Sequence, residues 1–175
     1  EQQKNGIVLV LHQMGSHGPA YYKRSPDEIK KFQPECKTNV LQECKNEELV
    51  NAYDNSIVYL DYFLNRTIQW QKARQNQYAM SMVYVSDHGE SLGENNIYLH
   101  GLPYAIAPSV QKKVPWITWL APEFQKQRGI DQQCLNKIKD QKLSHDHLFH
   151  SLLGLMNIET KEYQKPLDIY STCTK

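Results

Sequence analysis

The sequence predicts an α/β fold. Three observations carry that expectation: apolar runs near residues 6–12, 80–86 and 114–120, a long amphipathic stretch between the first two, and helical patterning after the third. Strand, helix, strand, strand, helix, helix is the order of an α/β domain. A chain of 175 residues can bury one core and is too short for two domains. The 40% hydrophobic and 22% charged composition is that of a soluble globular protein. Net charge is +1 with both signs interspersed, so bulk charge gives no reason to expect a nucleic acid partner. No apolar stretch approaches the roughly 20 residues a spanning helix needs, and no signal peptide is visible. The chain runs from a polar Glu1–Asn5 straight into an apolar segment, as expected of a mature product or a piece of something longer.

Taken in order, Ile7 to Leu11 contains no polar side chain and predicts a buried strand over 6–12. Residues 13–45 hold Gly15, Gly18, Pro19, Pro26 and Pro34 and predict a long loop. Loops of that length are usually functional or tied down. Tyr21, Tyr22, Lys23 and Arg24 read either as a binding lip or as ordinary packed and solvated loop. A helix is expected over about 46–74. Asn46 is its cap, Glu47 and Glu48 suit the positive dipole end, and Leu49, Tyr53, Ile57, Leu60, Leu64 and Ile68 form one apolar face. Asn51, Asp54, Asn55 and Asp61 should mostly face solvent, with Asp54 or Asp61 able to support a site from behind. Residues 80–86 form the second strand and 87–113 a second long loop. Val114 to Leu120 form the third strand, with Pro115 favouring an edge. Asp131 caps a short helix over 131–141, and Ser144 caps another reaching about Met156, with Leu148, Leu152 and Leu155 facing the core.

Chemistry concentrates where the second strand ends. Asp87 and His88 follow Met80–Ser86 directly, and open α/β folds place their sites at such strand ends. Adjacent strand residues point to opposite faces, so both reach one ion only if the backbone turns, which Gly89 permits. Carboxylate plus imidazole suits zinc or manganese better than calcium or magnesium. An Asp-His pair alone often forms only a local hydrogen bond. His17 and His100 add weight, because all three histidines precede glycine and two of them follow apolar strand candidates.

Cys36 and Cys44 flank a polar stretch without zinc-finger spacing. Bridging them would stabilise the fold by about 2–3 kcal/mol in the chain-entropy model; the alternative is two free buried thiols. Their polar loop favours the bridge and an oxidising compartment. Cys134 and Cys173 are the remaining pair.

Ser86-Asp87-His88-Gly89-Glu90-Ser91-Leu92-Gly93-Glu94-Asn95, continuing through Tyr98-Leu99-His100-Gly101-Leu102-Pro103, resembles the signature of bacterial phosphoethanolamine transferases. That family includes the mobile colistin-resistance proteins. His12, Gly15–Pro19, Tyr21-Tyr22, Cys36, Cys44 and Asn51–Asn55 share the resemblance, which weakens after about residue 121. It implies the alkaline phosphatase and sulfatase superfamily: an α/β/α sandwich around a mixed, largely parallel sheet, incomplete in this chain. It further implies that Asp87 and His88 are zinc ligands. His17 and His100 would contact phosphoryl oxygens or hold an additional zinc, and Glu90 would meet a substrate ammonium or a second ion. Cys36–Cys44 matches one of the family's periplasmic disulfides.

On this resemblance, residues 1–175 form the C-terminal part of a periplasmic catalytic domain at the inner membrane, expected as a monomer. The donor would be phosphatidylethanolamine, the acceptor a lipid A phosphate, the cofactor Zn2+ and the outcome polymyxin resistance. The family's threonine nucleophile, a further glutamate ligand and the membrane-spanning domain would lie upstream. Thr38, Thr67, Thr118, Thr160, Thr172 and Thr174 do not stand in the nucleophile's context, and Ser86 is expected to face the core. The competing readings are a metal-dependent sulfatase or phosphodiesterase, and a metal-binding fragment without turnover. The apolar loop Leu102–Pro108 either faces a membrane surface or packs against a sheet edge.

Overall fold

A computed structural model describes residues 6–175. The chain forms two compact units, one comprising residues 6–10, 72–82 and 119–175 and the other Leu11–Gln71 and Val83–Thr118. The second unit holds every site residue expected from the sequence.

In this second unit the loop after Leu11 contains only short 3-10 turns, Tyr21–Lys23, Asp27–Ile29 and Leu41–Glu43. Its fold is fixed by cross-links. Cys36 and Cys44 are bridged. Lys30 Nζ donates to Glu35 Oε1 at 2.7 Å in a pair shielded from water. Asn55 is fully buried, a correction to the expectation that it faces solvent. Its Oδ1 accepts from the Lys31 and Phe32 amides at 2.8 and 2.9 Å, and its Nδ2 donates to the Phe32 carbonyl. A buried amide that satisfies three main-chain groups substitutes for the secondary structure this loop lacks. Tyr21, Cys36, Leu41, Leu49 and Ala52 form the core here, with Tyr53, Leu92, Tyr98 and Leu99 packed against it.

Helix α1 spans Asn46–Lys72, two residues short of the expected end. Strand β1, Ser81–Val85, precedes the Asp-His step. The following loop contains a small antiparallel pair, β2 (Ser91–Leu92) with β3 (Tyr98–Leu99), and a short helix α2 (Ser109–Lys112). Strand β4, Trp116–Leu120, lies hydrogen-bonded beside β1.

The first unit adds helix α3 (Pro122–Arg128), α4 (Gln132–Ile138) and α5 (Asp146–Met156). Asp131 caps α4 as expected, accepting from the Gln133 and Cys134 amides. Ser144 does not cap α5: His145 takes that position and Ser144 Oγ donates to Asp146 Oδ2 at 3.0 Å. Leu155 is buried as expected, but His150 and Ser151 also face inward. The Cys134–Cys173 bridge ties α4 to the C-terminal turn.

The first expected strand does not form. Residues 6–12 belong to no sheet, and Leu9 and Val10 are 71% and 79% exposed. A strand requires a partner, and among the described residues none pairs with this segment. The sheets observed are two two-stranded pairs rather than a continuous, largely parallel sheet.

Candidate metal centre

The site is assembled by a short hairpin. β2 and β3 pair in the register Ser91↔Leu99. That register sets Glu90, just before β2, against His100, just after β3, and Glu90 Oε1 lies 3.2 Å from His100 Nδ1. Leu99 has φ 62 and Gly101 φ 107, so the chain bends sharply on both sides of His100. A bulky residue in the left-handed region costs about 1–3 kcal/mol, and such strain gathers at functional positions.

His88 is set by the turn leaving β1. Ser86 Oγ donates to the His88 carbonyl at 2.8 Å, so this hydroxyl braces the turn rather than filling the core. The Gly89 amide donates to the Gln111 carbonyl at 3.0 Å. Gly89 is required for closeness, not for an unusual φ: a Cβ there would collide with the Val110 carbonyl oxygen. His17 comes from the long loop, where its amide donates to Met14 and Arg24 Nε donates to its carbonyl at 2.7 Å.

The three imidazoles converge. The rings of His88 and His100 stack with centroids 3.6 Å apart, and His17 stands edge-on to them at 5.6 and 4.9 Å. One ring nitrogen from each lies within 4.8 Å of the others, the geometry of a candidate metal site. Asp87 stands at the margin, exposed, with Oδ1 3.9 Å from His88 Nε2. The side chains therefore group as three imidazoles with one carboxylate alongside.

The hydrogen bonds select a tautomer. His17 Nδ1 faces the Gly18 carbonyl at 2.7 Å, His88 Nδ1 the Gly89 carbonyl at 3.0 Å and His100 Nδ1 the Glu90 carboxylate. Carbonyl and carboxylate oxygens only accept, so in these contacts each Nδ1 is the donor and each Nε2 is the nitrogen left for another partner. Three imidazoles with one ring nitrogen each held by an oxygen and the other free to bind are a donor set that suits zinc. The residues present fit the ion.

Glu90 is the hub, and its buried carboxylate also accepts from the Gly18 amide at 3.3 Å. Beneath it lies Tyr21, 1% exposed, which the sequence could not separate from ordinary loop. Burial, then the Glu90 carboxylate, pushes the Tyr21 hydroxyl well above the usual phenol range. Burial likewise raises Tyr53, whose ring meets Tyr21 edge-on at 5.6 Å. Asp61 is exposed, and Asn55 and Ser56 rather than either acid are the buried polar residues of α1. In the loop beyond His100, Tyr104 and Ile106 stand 79% and 69% exposed, so packing against a sheet edge does not describe them.

Residues 1–158 match the Sulfatase family. The chain belongs to that family. It is 54% identical over 169 residues to phosphoethanolamine transferase EptA of Escherichia coli K12, covering 96% of this chain and 31% of that protein. It resembles the integral membrane protein lipooligosaccharide phosphoethanolamine transferase A from Neisseria meningitidis with a TM-score of 0.91. That match has 44% identity and covers 94% of this chain and 31% of the other. The C-terminal periplasmic domain of phosphoethanolamine transferase EptC from Campylobacter jejuni gives a TM-score of 0.83 at 48% identity, covering 94% and 51%. This sulfatase-family chain spans about a third of the length of the curated relatives it matches. No helix among its described residues is long and apolar enough to cross a membrane.

Proposed function

We propose that this chain is the C-terminal part of a phosphoethanolamine transferase catalytic domain, working at the periplasmic face of the inner membrane. The reaction moves phosphoethanolamine from phosphatidylethanolamine to a lipid A phosphate and thereby confers polymyxin resistance. One observation supports the metal chemistry above all: three imidazoles whose Nδ1 atoms each rest on an oxygen acceptor. The relatives' names supply the substrate class.

His17, His88 and His100 would hold zinc through Nε2, with Asp87 the adjacent carboxylate. Bound zinc neutralises charge on phosphoryl oxygens and lowers the pKa of a hydroxyl. An upstream threonine hydroxyl would give up its proton as its oxygen attacks phosphorus, and diacylglycerol would leave on its oxygen and take up a proton. A lipid A phosphate oxygen would then displace the threonine, whose oxygen is reprotonated. Within this chain the imidazoles orient, and Glu90 keeps the proton on His100 Nδ1. In the alternative division of roles Asp87 and His88 hold the ion, and the Nε2 atoms of His17 and His100, protonated, meet the non-bridging oxygens instead. Glu90 Oε1 is engaged by Gly18 and His100 and its Oε2 is buried, so Glu90 serves the centre through His100 rather than by receiving a substrate ammonium.

Zinc titration of the chain against a competing chelator tests the centre. His88→Ala is expected to weaken zinc at least a hundredfold, and unchanged affinity overturns the assignment. The Sulfatase match favours a second reading, in which water resolves the covalent phosphoryl or sulfuryl intermediate. Product analysis with a lipid A acceptor separates transfer from hydrolysis. Turnover only in a longer chain would mark this one as a metal-binding portion.

A further inference from the structure

We infer that Tyr21 is a positioning residue for the metal centre: its hydroxyl, donated to Glu90 Oε2, clamps the carboxylate that holds His100 Nδ1. The three histidines are not held equally. His17 and His88 rest on main-chain carbonyls, which cannot turn away. His100 rests on a side-chain carboxylate, which can rotate unless it is held at both oxygens. Glu90 Oε1 is held, by the Gly18 amide and by His100 itself. Glu90 Oε2 is buried and lacks a hydrogen-bond partner, and so does the Tyr21 hydroxyl oxygen.

These two orphans are complementary. A carboxylate oxygen only accepts and a phenol donates, and after burial it is the Glu90 carboxylate that pushes the Tyr21 hydroxyl above the usual phenol range. Leaving both unpaired in a site shielded from water is the costly alternative. Gly18 makes the approach possible. A Cβ at that position would meet the Tyr21 hydroxyl oxygen at 2.7 Å, and its amide donates to the same carboxylate. Tyr21 cannot drift, because its ring is packed among Cys36, Leu41, Leu49 and Tyr53. A hydrogen bond from Tyr21 to Oε2 would fix both oxygens of the carboxylate. His100 then keeps Nδ1 protonated and Nε2 free for the ion, the supporting role that second partners of metal-bound histidines play.

The inference deepens the metal reading, and its test separates the two. Two-bond 1H–15N spectra of the metal-free chain, labelled at histidine and recorded at about pH 8.5 where imidazole is neutral, report which nitrogen carries each proton. The wild type is expected to show all three rings protonated at Nδ1. Tyr21→Phe should turn His100 alone into a mixture of tautomers and weaken zinc about tenfold, with His17 and His88 unmoved. A variant that melts earlier yet keeps the wild-type His100 tautomer and zinc affinity overturns the inference, since Tyr21 is then only a core residue. Should Tyr21→Phe not fold, 3-fluorotyrosine at position 21 keeps the hydroxyl and strengthens its donation. It must shift the His100 nitrogens selectively, and no shift likewise overturns the inference. A wild-type chain that binds no zinc sinks the metal reading, while the tautomer spectra still decide the role of Tyr21.

Discussion

Three His-Gly steps mark the site in the sequence, and each glycine serves a different physical need. Gly18 leaves room for Tyr21 and Leu99, Gly89 lets the chain pass the Val110 carbonyl, and Gly101 supplies a φ of 107. The histidines were legible because a repeated dipeptide is a local pattern. Tyr21 and the hub role of Glu90 were not, because they depend on a hairpin register and on a loop folded back from dozens of residues away. The glycine reading makes a sharp prediction. Gly89→Ala drives a methyl onto backbone that cannot yield, so it should destabilise by about 2–3 kcal/mol and weaken zinc by displacing His88. Gly101→Ala meets no atom within 4 Å and carries only the strain of its φ, so it should cost about 1 kcal/mol. Urea unfolding midpoints compare the two, and equal costs would show that the Val110 contact relaxes freely.

Elements with local signals were readable, and those defined by contact were not. The Asp131 cap of α4 and the helical run of α1 both rest on neighbours in sequence, although of the expected apolar face only Leu49 is buried and Ile57 is exposed. Helix α3 carries a mixed local signal, because a proline just past a strand can also end an element. Pro at the first turn with Gly129 in the left-handed region just past the end instead brackets a helix. The pair β2–β3 was invisible because two-residue strands carry no periodicity, yet it is the element that builds the site. The loop after His100 is where element and function meet. Tyr104 and Ile106 protrude, Lys112 Nζ lies 4.8 Å over the Tyr104 ring, and no acidic residue occurs between Asn95 and Pro122. Aromatic, aliphatic and cationic side chains together suit an anionic bilayer surface. Tyr104→Asp with Ile106→Asp should reduce co-sedimentation with phosphatidylethanolamine–phosphatidylglycerol vesicles about tenfold or more. Unchanged binding removes the membrane reading for this loop.

At the scale of the whole molecule, the segment Ile7–Leu11 poses the sharpest question. Its unbroken apolar composition is that of a strand covered on both faces, yet Ile7, Leu9 and Val10 are each at least 66% exposed. Composition reports the environment a segment is suited to, whereas structure reports the partners it has, and here the two diverge. The sequence therefore conveyed this segment's character but not its surroundings, just as it indicated an α/β order without the sheet that the order implies. An exposed apolar stretch that, among the described residues, pairs with no strand is a template for another strand. The chain should consequently self-associate as its concentration rises, seen as an increasing mass in light scattering. Leu9→Lys with Val10→Lys puts charge on the two most exposed residues of the segment and should hold the chain monomeric without moving the zinc affinity. A wild-type chain that stays monomeric at every concentration would mean that the exposed segment finds cover within its own fold.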